Sequence, residues 1–196
     1  MISIGKLIFT YSTMKAGKSL DLIRVHYNYS QDTDKKVAII KPTLDSRDGG
    51  FVKSRNGSHI PVTFRFRKED RITDKIEVFD FDVILVDEAQ FLTKSQVQEL
   101  HKLANVDNKI VMCWGLRIDY QNEGFEGSQA LLTYANEIRE IKTVCTCGKK
   151  ATHHLLYDSK GNLIVNGNQV VIGDSEYKSV CSDCYYKSVN EVFKHW

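Results

Sequence analysis

The chain has 196 residues, 42% hydrophobic and 27% charged, and a net charge of +2. That length suits one full domain and a small appendage, and so small a charge gives no electrostatic case for a nucleic-acid binder. No apolar run approaches the ~20 residues of a membrane span, and no basic segment leads into a long apolar core at the N-terminus, so no membrane or secretory role is expected and a cytoplasmic setting is. Residues 7–11, LIFTY, predict a buried strand. Residues 18–29 predict a helix, with Leu22, Val25 and Tyr29 at helical spacing. KVAIIKP, residues 36–42, predicts a second strand, while residues 45–64 read as loop or a weak hairpin. Val83, Ile84, Leu85 and Val86 predict another buried strand. Thr93 with Gln96 three residues on is a capping-box signature, and Val97, Leu100 and Leu103 form the apolar stripe of the helix it opens. NKIVMCWGL, residues 108–116, predicts a strand, and SQALLTYANEI, residues 128–138, a helix. Continuous apolar strands alternating with amphipathic helices imply an α/β domain with a mostly parallel sheet.

The stretch STMKAGKS, residues 12–19, falls between the first strand and the first helix. A strict phosphate-binding loop reads Gly, four residues, Gly, Lys, then Ser or Thr. Gly17, Lys18 and Ser19 fit its end, but Ser12 stands where the first Gly belongs. In that setting the loop N–H groups can cradle phosphates, Lys18 can neutralise the transferring group, and the Ser19 hydroxyl can ligate Mg²⁺. The alternative is an ordinary strand–turn–helix that happens to contain Gly-Lys-Ser. Asp87 follows the strand at 83–86, as in a Walker B element, and would hold Mg²⁺ directly or through water. Glu88 can then reach a nucleophile near the γ-phosphate. It would activate water in an ATPase or helicase, or take the proton of a substrate hydroxyl in a small-molecule kinase. The chain is too short for a two-domain helicase and too neutral for a strand-tracking groove.

Four of the five cysteines fall in two close pairs, Cys145 with Cys147 and Cys181 with Cys184. This pattern reads as a structural Zn²⁺ site, since four thiolates give a closed tetrahedral shell. The alternatives are disulfides, or three cysteines completed by His153 or His154. On an ideal strand the side chains of a C-x-C pair point to opposite faces, so the backbone must turn there, and Gly148 suits that turn. Cys113, alone in an apolar strand, is expected in the core. The residues between the pairs read as a β-ribbon with an excursion, stapled by the metal.

These residues together resemble the type II thymidine kinases over nearly the whole length. The carriers are STMKAGKS, DSRDG with SRNG downstream, VDEAQFL, GLRIDYQNEGFEGS, TVCTCGKKAT and VVIGDSEYKSVCSDC. The resemblance implies a P-loop NTPase domain with a mostly parallel, RecA-like sheet over residues 1–143. It also implies a small zinc-ribbon and lasso domain with a C-terminal helix over 144–196. It implies transfer of the ATP γ-phosphate to the 5′-hydroxyl of thymidine or deoxyuridine, in pyrimidine salvage. On the nucleotide side it implies Ser12, Thr13, Met14, Lys15, Ala16, Gly17, Lys18, Ser19, Asp87 and Gln90, with Mg²⁺ on Ser19 and Asp87 and with Glu88 as proton acceptor. On the nucleoside side it implies Met14, Phe91 and Tyr120, the backbone of a lasso at Gln169, Val170, Val171, Ile172 and Gly173, and Tyr177 against the deoxyribose. Tyr120 stands where Phe is commoner in the family, which leaves a stacking face and adds a hydroxyl. A homotetramer and feedback inhibition by thymidine triphosphate (dTTP) are family expectations. The competing expectation is a P-loop ATPase or regulatory module whose zinc ribbon binds nucleic acid. The ribbon's mixture of Asp158, Asp174, Glu176 and Asp183 with its lysines speaks against that.

Overall fold

A computed structural model of the chain describes residues 5–44, 49–171 and 176–193. In chain order its elements are β1 (Lys6–Ser12), α1 (Lys18–Asp32), β2 (Val37–Pro42), β3 (Phe51–Lys53), β4 (His59–Pro61), β5 (Phe64–Phe66), β6 (Val83–Val86), α2 (Lys94–Asn105), β7 (Ile110–Leu116), α3 (Glu126–Tyr134), β8 (Glu137–Glu140), β9 (His153–Tyr157), β10 (Leu163–Ile164), β11 (Glu176–Val180) and α4 (Ser182–Phe193). Six strands form one sheet in the order β5-β2-β6-β7-β1-β8, and every neighbouring pair is parallel. Successive side chains leave a strand on opposite faces, so each central strand feeds two cores. Leu7 and Phe9 of β1 join Ile84, Val86, Val111 and Cys113 on one face, under Val97, Leu100 and Leu103 of α2 and Leu131 of α3. Ile8 joins Ile39, Leu85, Met112 and Trp114 on the other, under Leu22 and Val25 of α1. Burial on both faces is why these strands read as unbroken apolar runs.

Parallel pairing also decides where chemistry can sit. The C-terminal ends of β1, β2, β6 and β7 all reach the same edge of the sheet. In register, Ser12 lies opposite Leu116, and Val86 lies opposite Ile40 and Cys113. The loops that follow these strands therefore gather at one edge, where open α/β sheets carry their ligands. One strand, β7, separates the Gly-Lys-Ser strand from the Asp87 strand.

One expectation is corrected, and one that left loop and hairpin open is decided. The helix predicted over 128–138 stops at Tyr134, and Glu137 and Ile138 enter β8. Asn136 makes the switch: its N–H donates to the Leu7 carbonyl at 2.8 Å and its Oδ1 accepts from the Leu7 N–H at 2.7 Å. Edge pairing with β1 thus overrides local helix preference. The stretch 45–64 contains a true hairpin, β3 with β4, and leads into β5, which pairs with β2. Residues 45–48 of the DSRDG motif lie outside the described residues.

The remaining strands form a three-stranded antiparallel sheet, β10-β9-β11, with its own small core of Cys145, Ala151, Leu155, Val180, Cys181 and Tyr185. Helix α4 leaves this ribbon directly after Cys181.

The capping box of α2 is complete. Thr93 Oγ1 accepts from the Gln96 N–H at 3.2 Å and Gln96 Oε1 accepts from the Thr93 N–H at 3.1 Å. The Gln96 amide goes on to donate to the carbonyls of Arg67 and Asp70, tying a long connection to the helix. Thr93→Ala removes the cap but leaves the Gln96 tether, so urea unfolding should show a loss of about 0.5–2 kcal/mol with an unchanged slope.

Candidate active site

The loop from Thr13 to α1 is shaped by backbone conformations that side chains avoid. Gly17, the N-cap of α1, has φ 89°, a left-handed geometry natural to glycine. Lys15 is held at φ 66°. A non-glycine residue there is strained, and such strain collects at ligand-binding sites. No side chain caps the N-terminus of α1, which leaves its N–H groups open to an anion. The half-buried Lys18 folds back over the loop. Its Nζ donates to Thr13 O at 3.0 Å and Ser12 Oγ at 3.2 Å. Ser12 Oγ in turn donates to Thr13 O at 2.9 Å. The departure from the strict motif is thereby given a job: the hydroxyl at the first position closes a small hydrogen-bonded ring around the lysine head. Burial lowers the Lys18 pKa, while Glu88 and Asp87 raise it.

Across the edge, β6 delivers Asp87 and Glu88. Asp87 is 3% exposed and lies 3.8 Å from the fully buried Lys41 ammonium of β2. Burial and the neighbouring Glu88 carboxylate push Asp87 up to about 7, against the pull of Lys41. A carboxylate so placed fits a site completed by a cation. Glu88 is itself left-handed, at φ 50°, a second strained residue at the same edge. Gln90 holds it: Gln90 Nε2 donates to Glu88 Oε2, and Gln90 Oε1 accepts from the Leu116 N–H at 3.1 Å. Gly115 makes room, since a Cβ there would lie 2.9 Å from Gln90 Oε1. The glutamine thus ties the Glu88 turn to the end of β7.

A cavity of about 590 Å³ opens between these two walls. Met14, Lys15, Ala16, Gly17, Lys18 and Ser19 line one side, with Glu88, Gln90 and Phe91 opposite. Tyr120, 2% exposed, also lines it, as do Gln169, Val170, Val171 and Tyr177 from the ribbon. Ser12, Thr13 and Asp87 lie behind the lining. Ile172 and Gly173 fall outside the described residues. The cavity also brings in residues that the sequence reading passed over. Phe125 packs edge-on to Phe91, ring centroids 5.8 Å apart. Asp119 is buried; its Oδ1 accepts from the N–H groups of Gln121 and Glu123, and its Oδ2 has no partner among the described residues. Arg55 arrives on the turn between β3 and β4, and His154 from β9. Phe125, Asp119 and Arg55 lay inside quoted motifs, so their place in those motifs was the available signal. His154 had none beyond being a metal-ligand alternative. Burial pushes its pKa down to about 3, so it is a neutral imidazole.

The ribbon is fixed to the loop it overhangs. Ser179 Oγ of β11 donates to Met14 O at 2.6 Å, and Lys15 lies 3.9 Å from Glu176. The four cysteine sulfurs of the ribbon all lie within 4.8 Å of one another, with Cys147 and Cys181 3.6 Å apart. Tetrahedral Zn²⁺ with bonds of about 2.3 Å needs sulfurs about 3.8 Å apart, so the donor set fits. Gly148 at φ 87° and a turn bond from its N–H to Cys145 O bring the C-x-C pair to one side. The backbone N–H of Cys147 helps draw the Cys145 thiol down to about 6, toward the thiolate that a metal requires. Cys113 is fully buried in β7.

A family model for thymidine kinase matches residues 5–185. The chain is 40% identical over 190 residues to the thymidine kinase of Chromobacterium violaceum, covering 93% of this chain and 99% of the relative. Over 191 residues it is 40% identical to that of Pasteurella multocida, covering 95% and 99%. With that of Mannheimia succiniciproducens it shares 41% over 184 residues, covering 91% and 93%.

The cysteine cluster generates a direct test. Purified protein should carry about one zinc per chain, and Cys181→Ser should lose it and unfold at lower temperature, because metal binding and ribbon folding are coupled. Metal analysis of wild-type protein showing no zinc would refute the assignment.

Proposed function

The chain belongs to the thymidine kinase family, and from that premise we propose that it transfers the γ-phosphate of ATP to the 5′-hydroxyl of thymidine, and of deoxyuridine. The observation that carries this reading is that a single cavity is lined by both the Gly-Lys-Ser loop and Glu88, with an aromatic wall of Tyr120, Phe91 and Phe125 beside them. A phosphate donor and a flat hydroxyl-bearing acceptor can therefore meet in one enclosed space, which is most of what phosphoryl transfer asks of a protein.

In this reading residues 12–19 wrap the triphosphate, with loop and helix N–H groups on its oxygens. The Lys18 ammonium neutralises charge that builds on the transferring group. Ser19 and Asp87 would hold Mg²⁺, which when bound shields the phosphate oxygens, and Gln90 keeps the Asp87–Glu88 turn in place. Met14, Phe91 and Tyr120 clasp the pyrimidine, Tyr120 by its ring face. The backbone at Gln169, Val170 and Val171, continued by Ile172 and Gly173, meets the polar edge of the base, and Tyr177 covers the deoxyribose. Glu88 orients the 5′-hydroxyl and takes its proton as the oxygen bonds to the γ-phosphorus and the bond to the departing ADP breaks. The proposed division is a kinase domain, 1–143, and a zinc-stapled ribbon, 144–196, and the separate small core of the ribbon supports it. Feedback by dTTP fits the same cavity, with its base in the nucleoside pocket and its phosphates on the loop. A homotetramer and a cytoplasmic setting complete the proposal, and no helix among the described residues is long and apolar enough to cross a membrane.

The experiment is ADP release with and without thymidine. ADP should form only when thymidine or deoxyuridine is present, and Lys18→Ala should fold yet lose a factor of roughly 10²–10³ in kcat, as when one preorganised charge-stabilising donor is removed. ADP release indifferent to thymidine would overturn the assignment, and near-normal turnover in Lys18→Ala would remove the loop from the reaction.

A further inference from the structure

The hydroxyl of Tyr120 has a partner that its ring does not explain. It donates to the Asn168 carbonyl at 3.1 Å, in the chain segment that runs on through Gln169, Val170 and Val171 along the cavity. The next side chain does the same: Gln121 Nε2 donates to the Gly167 carbonyl at 3.1 Å. Gly167 sits at φ 148°, and a Cβ there would lie 2.9 Å from the Tyr120 hydroxyl oxygen. So the strap passes close enough over the phenol that only a residue without a side chain fits. From below, Tyr185 of α4 donates to the Tyr120 carbonyl at 3.0 Å. Burial and the adjacent Asp119 raise the phenol's pKa, which keeps the donor protonated.

We propose that Tyr120 is a positioning residue, whose hydroxyl fastens the strap of residues 167–171 over the nucleoside side of the cavity before any ligand arrives. The proposal rests on the reading of that side as the nucleoside pocket. One side chain then does two separate things: the ring forms a wall of the pocket, and the hydroxyl sets the height of the strap above it. Phenylalanine keeps the first and loses the second. A strap already in place loses less freedom when substrate binds, which favours nucleoside affinity over turnover. Gln121 and the absent side chain at Gly167 serve the same fastening.

Hydrogen-exchange mass spectrometry on the full-length, ligand-free protein tests this without assuming a substrate. In Tyr120→Phe the peptide spanning residues 163–171 should exchange roughly three- to tenfold faster, the span expected for one lost hydrogen bond, while a peptide from β7 keeps its wild-type rate. Gln121→Ala should accelerate the same peptide. Gly167→Ala should loosen the strap in the wild-type background and by less in Tyr120→Phe, because the oxygen it meets is gone. In the ADP assay Tyr120→Phe should raise KM for thymidine by a larger factor than it lowers kcat, with KM for ATP unchanged. Unchanged exchange of residues 163–171 in both Tyr120→Phe and Gln121→Ala, or strictly additive effects of Gly167→Ala and Tyr120→Phe, would overturn the proposal. Faster exchange in a protein that ignores thymidine would support the strap and refute the pocket assignment instead.

Discussion

The site is organised around a lysine that has no carboxylate to pair with. Among the described residues, Lys18 bonds only a carbonyl and a hydroxyl, at the open N-terminus of α1. Partial burial makes a lone ammonium expensive, and nearby opposite charge or a bound anion relieves it. The neighbouring carboxylates sit across the cavity and not against it. Asp87 is already engaged with Lys41, and Glu88 is held by Gln90. The arrangement therefore keeps its positive charge available on one wall and its negative charge on the other. An anionic ligand with an associated cation completes both.

The parallel sheet makes this possible, and the ribbon encloses it. All four loops of the site leave strand ends on the same edge, so no long insertions are needed to bring Lys18, Asp87, Gln90 and Tyr120 together. The ribbon core is small, so a metal on its four cysteines would add to what hydrophobic burial supplies there. Beside Cys181 and Cys184 it is anchored to the sheet domain by Ser179 on Met14 and by Tyr185 on Tyr120. Lys149 and Lys150 of the ribbon are matched by Asp183 and Glu140.

Much of this was legible in the sequence because the signals were local. The strand at 83–86, the cap at Thr93 and Gln96, and the turn at Gly148 each depend on residues a few places apart. What escaped depends on partners far away in the chain. Asn136 leaves the helical pattern because Leu7 needs an edge partner. Lys41 lies within the strand run at 36–42, and only the sheet register puts it against Asp87. Phe125 and Asp119 were inside a quoted motif, but their roles as cavity wall appear only when the loop after β7 folds toward β6. The Tyr120 hydroxyl was noticed as an oddity, while its acceptor, 48 residues on, was not visible to any periodicity.

In the proposed reaction Asp87 and Glu88, adjacent in sequence, divide the work between nucleotide and acceptor. Glu88→Gln keeps the size of the side chain and most of its hydrogen bonding but cannot take a proton. The most direct measurement is single-turnover phosphoryl transfer to thymidine by this variant, alongside its ATP affinity by calorimetry. The expected result is nearly wild-type ATP binding and a transfer rate lower by about 10²–10⁴, the range for a positioned general base. Transfer at close to the wild-type rate would contradict it and send the proton to another acceptor.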